Sequence, residues 1–262
     1  MKYKCLSIAG FDGSGGAGIQ ADLKTFSATG GYGMSVLTAI PIQNTCGVRQ
    51  IYNVSLECIE AQLNAIFDDI TPDAIKIGML FSTDIIELVA AFIQQNAHGI
   101  PIVLDPVMFA KSGDALLQMD AMEALKTKLI PLVSLITPNL PEAKQLVLSN
   151  GGKYLLGKKL LDLGPEAVLL KGGHEHSVNS DDLFFSHQEQ AVLSTQRINS
   201  HNTHGTGCTL SAAIASFISQ KNTYLNACKK AKQYLSQAIL ASKDTSVGKG
   251  HGPVNHFYKL WE

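Results

Sequence analysis

The sequence predicts an α/β fold: a central, mostly parallel sheet with helices on both faces, a three-layer αβα arrangement. Three observations predict it. Short, mostly apolar runs alternate with longer segments of helical periodicity. Those runs are too brief for helices and too uniformly apolar for one-sided strands, as expected of strands covered on both faces. Pro72, Pro101, Pro131 and Pro138 fall between the segments rather than inside them. Such alternation implies right-handed crossovers between parallel neighbours.

Taken in order, strands are expected at 5–9, 36–42, 74–77, 102–104, 135–137 and 167–170. Helices are expected at 17–29, 56–69, 83–97, 114–129 and 140–148. In the second of these helices Leu56, Ile59, Leu63, Ile66 and Phe67 fall on one face. Segments 181–186 and 190–198 read as a late antiparallel pair, and 207–219 and 223–242 as two closing helices. No linker, repeat or low-complexity stretch interrupts the 262 residues, so residues 1–262 read as one domain.

Composition narrows the function. Twenty-one Lys and Arg against 22 Asp and Glu leave a net charge of −1, which offers no basic groove for nucleic acid. Five dispersed cysteines without C-x-x-C spacing argue against a disulfide framework and for a reducing compartment. His174 and His176 have no cysteine pair to complete a metal site. The first apolar run ends in a glycine turn and reads as a core strand rather than a signal peptide, and no stretch approaches a membrane span. A cytoplasmic protein without membrane contact is the expectation.

The most informative stretch is Asn202-Thr203-His204-Gly205-Thr206-Gly207-Cys208, followed at once by small and apolar residues. It reads as a tight loop feeding a buried helix. Gly205 and Gly207 can take positive φ and hold no side chain against a ligand. First-turn N–H groups, with the positive end of the helix dipole, then form a cradle for phosphate. Cys208 lies in the same turn, where the field favours a thiolate. A proton acceptor beside an anion cradle suggests phosphoryl transfer to an alcohol. His204 receives no role.

Other polar groups follow strand candidates, where ligands of parallel sheets bind. The glycine-rich loop 10–18 carries neither a dinucleotide G-x-G-x-x-G in the required place nor a Walker A lysine. Asp22 is either a solvated helix carboxylate or a partner for a heterocycle's amino group. Gln43 offers a carboxamide that suits a pyrimidine edge, or ends its strand in a turn. Asp105 is placed to hold Mg²⁺ through water. Asn139 and Glu142 fit a shared metal or phosphate contact, or a capping box. Lys171 neutralises a phosphate, or belongs to a hairpin turn.

These segments together resemble the hydroxymethylpyrimidine/phosphomethylpyrimidine kinases of thiamine biosynthesis, within the ribokinase-like superfamily. The resemblance is carried by Ser14 through Thr25 (SGGAGIQADLKT), Gln43-Asn44-Thr45, Lys76-Ile77-Gly78-Met79-Leu80, Asp105-Pro106-Val107-Met108 and Ala110-Lys111-Ser112-Gly113. Thr137 through Ala143 (TPNLPEA) and Lys171-Gly172-Gly173-His174 complete it. It implies a ribokinase-like kinase using ATP and Mg²⁺ on 4-amino-5-hydroxymethyl-2-methylpyrimidine and then on its monophosphate. It implies Gly10, Asp22, Gln43, Met79 and Val107 as the pyrimidine pocket, and Gly205, Thr206, Gly207 and Cys208 as the catalytic anion hole. Asp105 and Glu142 follow as the metal and phosphate network, and Asn139 and Lys171 as nucleotide contacts. The resemblance leaves a homodimer open. Cys208 stands where many sugar kinases of the superfamily carry an aspartate base, and Phe11 and Gly13 depart from the usual first loop. Phe11 is expected to narrow the pocket or stack on the ring. A pyridoxal kinase of the same superfamily and a catalytically silent pyrimidine-binding protein are the alternative readings.

Overall fold

The computed structural model describes residues 2–109, 113, 114, 116–118, 120–173 and 178–261. Strands β1 (Lys4–Ala9) and β2 (Tyr32–Leu37) lie parallel at one edge of an eight-stranded sheet. Strands β3 (Ala39–Asn44) and β4 (Gly47–Asn53) form a separate antiparallel pair. The main sheet continues through β5 (Ala74–Ile77), β6 (Ile102–Leu104), β7 (Leu135–Ile136) and β8 (Ala167–Leu170), all parallel. Strands β9 (Asn179–Ser186) and β10 (Gln190–Gln196) close it antiparallel, giving the spatial order β10-β9-β8-β7-β6-β5-β1-β2. Strand order therefore reverses between β1 and β5.

Alternation along the strands builds two cores. Leu6, Ile8, Ile75, Ile77, Ile102, Leu104, Ile136, Val168 and Leu170 face one layer. That layer holds α2 (Leu56–Phe67), α3 (Thr83–Asn96), α5 (Leu140–Leu146) and α6 (Lys153–Leu161), with the short α4 (Ala121–Ala124) between α3 and α5. Cys5, Ala74, Val103, Leu135, Ala167 and Leu169 face the other, made by α1 (Gly18–Ala28), α7 (Thr206–Ser219) and α8 (Tyr224–Ser242). The period of two thus produces the three-layer order expected from the sequence. Among the described residues no helix is long and apolar enough to cross a membrane.

Two expectations need correction, and helix α6 and strand β4 lie where no element is expected. The apolar run 36–42 is two strands, because Thr38 is held at the sheet end: its amide donates to Ala9 and its hydroxyl to the Met79 carbonyl at 2.6 Å. Of the helix expected at 114–129, only Ala121–Ala124 is α-helical, followed by a π-turn over Leu125–Leu129 and a 3-10 turn over Ile130–Leu132. Leu116 and Gln118 spend their amides on Met108 and Phe81 instead, and residues 115 and 119 lie outside the described residues. Helix α6 was not anticipated. Its mid-helix Gly157 argues against a helix, yet a Cβ there would collide with the Phe185 ring, so the glycine permits close packing on β9. Residues 110–112 and His174 and His176, part of the motifs above, also lie outside the described residues.

Candidate active site

A cavity of about 510 Å³ opens at the carboxyl ends of the parallel strands. It includes the crevice between β1 and β5 where strand order reverses, the place an open α/β sheet binds its ligands. Five of the six parallel strands deliver a residue to it: Gly10 after β1, Met79 after β5, Asp105 after β6, Asn139 after β7 and Lys171 after β8. Such a volume suits a small ligand or two adjoining ones.

The α7 terminus forms one wall. Gly205, its N-cap, takes φ +72°, and a Cβ there would collide with the Gly16 carbonyl. No side chain caps this end, and helical geometry leaves first-turn amides without intrahelical acceptors. Thr206 departs from expectation: its amide and hydroxyl both lean on the Thr203 carbonyl, at 3.4 and 3.1 Å. The expected phosphate cradle would therefore rest on the Gly207 and Cys208 amides. Gly207 is helical rather than positive in φ, so its missing side chain serves space alone. A Cβ on it would lie 3.1 Å from Asp105 Oδ2 and 3.5 Å from Lys171 Nζ.

Opposite the cradle stand two carboxylates and a lysine. Lys171 Nζ donates to Asp105 Oδ1 at 2.9 Å and lies 4.0 Å from Glu142. The Thr137 hydroxyl also reaches Asp105, at 3.2 Å. Burial opposes the Lys171 charge, but Asp105 and Glu142 outweigh it and hold the ammonium firmly protonated. Burial raises the Glu142 pKa to about 7 despite the attraction of Lys171. Asn139 and Glu142 do form the capping box: Glu142 N donates to Asn139 Oδ1 at 2.9 Å, and Asn139 N to Glu142 Oε2 at 2.7 Å. Both nevertheless line the cavity, so the two readings of that spacing are compatible. Among the described residues no cluster of three His, Cys, Asp or Glu could hold an ion by protein ligands alone.

Cys208 lines the same cavity as Gly10, Phe11, Pro41, Gln43, Met79 and Val107, and Met79 and Val107 pack in a small apolar cluster with Ala39 and Leu116. The Gln43 amide donates to the Phe11 carbonyl at 3.4 Å. A β-bulge between Ile42 and Gln43 shifts this part of the small sheet. The thiolate expectation is corrected here. Burial pushes the Cys208 thiol up to about 11, outweighing the Lys76 ammonium and the Gly18 amide, which favour the anion.

Asp22 is also corrected. It is neither solvated nor among the residues lining the cavity: it is wholly buried, with Lys76 Nζ at 2.7 and 3.0 Å and the Ser7 hydroxyl at 2.6 Å. The alternation explains this. Ser7 and Lys76 share the parity of Cys5 and Ala74 and so face α1 and α7. Lys76, not Asp22, meets the cavity. A lysine inside a fully buried strand was itself a sign that a carboxylate must lie nearby.

Two further pairs escaped the sequence reading. His204 Nε2 lies 2.7 Å from Asp12 Oδ2, joining loops 192 residues apart. Lys232 of α8 pairs with Asp182 of β9 at 2.7 Å, and Asp182 also accepts the Gly172 amide. Both members of that second pair line the cavity, as do Thr195, Ile198, Leu235 and Ile239.

The family model described as phosphomethylpyrimidine kinase matches residues 12–255. The hydroxymethylpyrimidine/phosphomethylpyrimidine kinase of Salmonella typhimurium is 48% identical, covering 100% of both chains. Among solved structures, phosphomethylpyrimidine kinase from Clostridium difficile superposes with a TM-score of 0.81 at 41% identity, covering 91% of this chain and 100% of that one. An ADP complex of Bacillus subtilis pyridoxal kinase gives 0.90 at 36% identity, covering 99% and 100%.

Proposed function

The chain belongs to the phosphomethylpyrimidine kinase family, and from that premise we propose how its residues carry out the reaction. Its activity is ATP-dependent phosphorylation of 4-amino-5-hydroxymethyl-2-methylpyrimidine and of the resulting monophosphate. Residues 1–262 act as one ribokinase-like domain, and five free thiols suit a reducing cytoplasm. One observation carries the reading. Gly207 and Cys208 at the start of α7 line one cavity with Asp105, Glu142 and Lys171, and a Cβ on Gly207 would fall 3.1 Å from Asp105 Oδ2 and 3.5 Å from Lys171 Nζ.

The terminal phosphate of ATP sits in that cavity against the α7 amides. Gly207 and Cys208 amides donate to its oxygens, Lys171 neutralises it, and the helix dipole adds to both. The rest of the nucleotide extends toward Lys232, Thr195, Leu235 and Ile239. The pyrimidine lies between Met79, Val107 and Phe11, its edge read by Gln43 and its hydroxymethyl turned to Cys208. Two carboxylates beside a lysine fit Mg²⁺ that keeps water and phosphate oxygens as its remaining ligands. Asp105 and Glu142 would hold it, and when bound it would neutralise charge on the phosphates.

The alcohol attacks the phosphorus in line while Cys208 removes its proton. Because the resting thiol titrates near pH 11, the thiolate is a minor form at neutral pH. Lys76 supplies the cation that favours it. Positioning and electrostatics carry most of the acceleration in phosphoryl transfer, and a base adds about 10²- to 10⁴-fold.

The 0.90 TM-score to a pyridoxal kinase favours a second reading, since pyridoxal is also a flat heterocycle bearing a hydroxymethyl. Measuring kcat/KM for the pyrimidine alcohol, its monophosphate and pyridoxal under one set of conditions decides between them. The proposal expects the pyrimidines to prevail. Preferential turnover of pyridoxal would replace it, and no ATP consumption with any of the three would leave a binding protein.

A further inference from the structure

Resting on the phosphate-cradle reading above, we infer that the Asp12–His204 hydrogen bond is a positioning device that fixes the cradle against the alcohol pocket. Asp12 follows β1 and is fully buried. Its Oδ1 accepts the Ser14 amide at 3.0 Å and hydroxyl at 2.7 Å, and its Oδ2 the Gly16 and Ala17 amides at 3.1 and 2.7 Å. The first loop is thus wound around one carboxylate. That same loop sets Gly10 and Phe11 on the alcohol side, with the Phe11 amide anchored to Ala39.

His204 stands one residue before the cradle's N-cap, its own amide tied to the Gly252 carbonyl at 3.0 Å. A carboxylate only accepts, so the proton resides on Nε2 and His204 donates to Asp12 at 2.7 Å. The ring packs directly on the loop: a Cβ at Gly16 would fall 2.5 Å from His204 Cδ2.

The arithmetic of acceptors separates positioning from mere stapling. A carboxylate offers about four lone-pair sites, and the loop's own four donors already engage Asp12. The histidine is therefore a fifth donor, which favours the Asp12 anion further but is not the only group that satisfies it. What it adds is a connection between the loop that places the alcohol and the terminus that places the phosphate. In-line transfer is sensitive to that relation, since a misplacement of about 1 Å can lower a rate about 10²-fold.

The test compares wild type, His204→Ala and His204→Gln in steady-state kinetics with ATP and the pyrimidine alcohol, alongside thermal melts and ADP released per alcohol phosphorylated. Glutamine's amide nitrogen reaches close to the place of Nε2. The Ala variant should lose about 10²-fold in kcat, with both KM values within about threefold of wild type, the sign of an interaction felt mainly in the transition state. It should also release ADP in excess of product, and the Gln variant should recover most of the rate. An Ala variant that does not fold is replaced by His204→Asn, whose amide falls short of Asp12. Wild-type kcat in a folded Ala or Asn variant, or equal loss in the Gln variant, overturns the inference while leaving the kinase reading intact. A wild type inactive on every alcohol overturns that reading and the inference with it.

Discussion

Gly207→Ala separates the cradle's function from its fold. In a helix interior alanine is favoured over glycine by about 0.8–1.0 kcal/mol, and in the first turn, where Gly207 stands, by less. Against this, the new methyl would lie 3.1 Å from Asp105 Oδ2, a carboxylate already held by Lys171 and Thr137. A shift of a few tenths of an ångström relieves that contact, so net stability should stay within about 1 kcal/mol of wild type, or roughly 2–4 °C in melting temperature. Activity should respond quite differently. The methyl projects from the cavity wall assigned to the transferring phosphate and hinders approach to the Gly207 amide. Loss of one such donor typically lowers turnover about 10²- to 10³-fold. Coupled ADP-release kinetics beside a thermal melt read both quantities. Gly205→Ala serves as the contrast: at φ +72°, with its Cβ driven into the Gly16 carbonyl, it should lose stability first. Wild-type turnover in a folded Gly207→Ala protein would refute the placement of the phosphate.

Other outcomes follow from the same geometry. Lys76→Met should cost about 3–5 kcal/mol in denaturant unfolding, because it strands Asp22 as an unpaired buried carboxyl. Replacing both residues by apolar ones should recover much of that loss. If the Cys208 thiolate is the base, kcat should climb with pH from 7 to 10, since the thiol titrates only near 11; a flat profile would exclude it. Glu142, at about 7 when folded against 4.5 ordinarily, holds more protons in the native state across that window. Its contribution to stability therefore falls as pH rises from about 4.5 to 7. Binding of a Mg²⁺-nucleotide beside it should expel up to about half a proton at pH 7, seen by calorimetry in buffers of different ionisation enthalpy.

Much of this architecture was legible because a strand buried on both faces has to be apolar. The runs at 74–77, 102–104 and 167–170 coincide with β5, β6 and β8. The run 36–42 failed for a physical reason: apolar continuity spans two strands, and the break at Thr38 is made by partners far along the chain. The glycine-led, side-chain-free start of α7 was legible because glycines ahead of a helix imply it locally. Asp22 was misplaced because its environment depends on Lys76, 54 residues away, although a lysine within β5 pointed to that pairing. The Asp12–His204 bond left no local trace, since neither residue breaks the pattern around it. Thiol acidity was misjudged because the helix field was visible in sequence while the desolvation of Cys208 was not.

The central claim is that the α7 amides hold a nucleotide's terminal phosphate while the Cys208 sulfur meets the alcohol. Single-turnover phosphorylation by Cys208→Ala, with ATP and pyrimidine affinities measured on the same preparation, tests it most directly. The account predicts a rate lower by about 10²- to 10⁴-fold with both ligands still bound. An undiminished rate in that variant would contradict it.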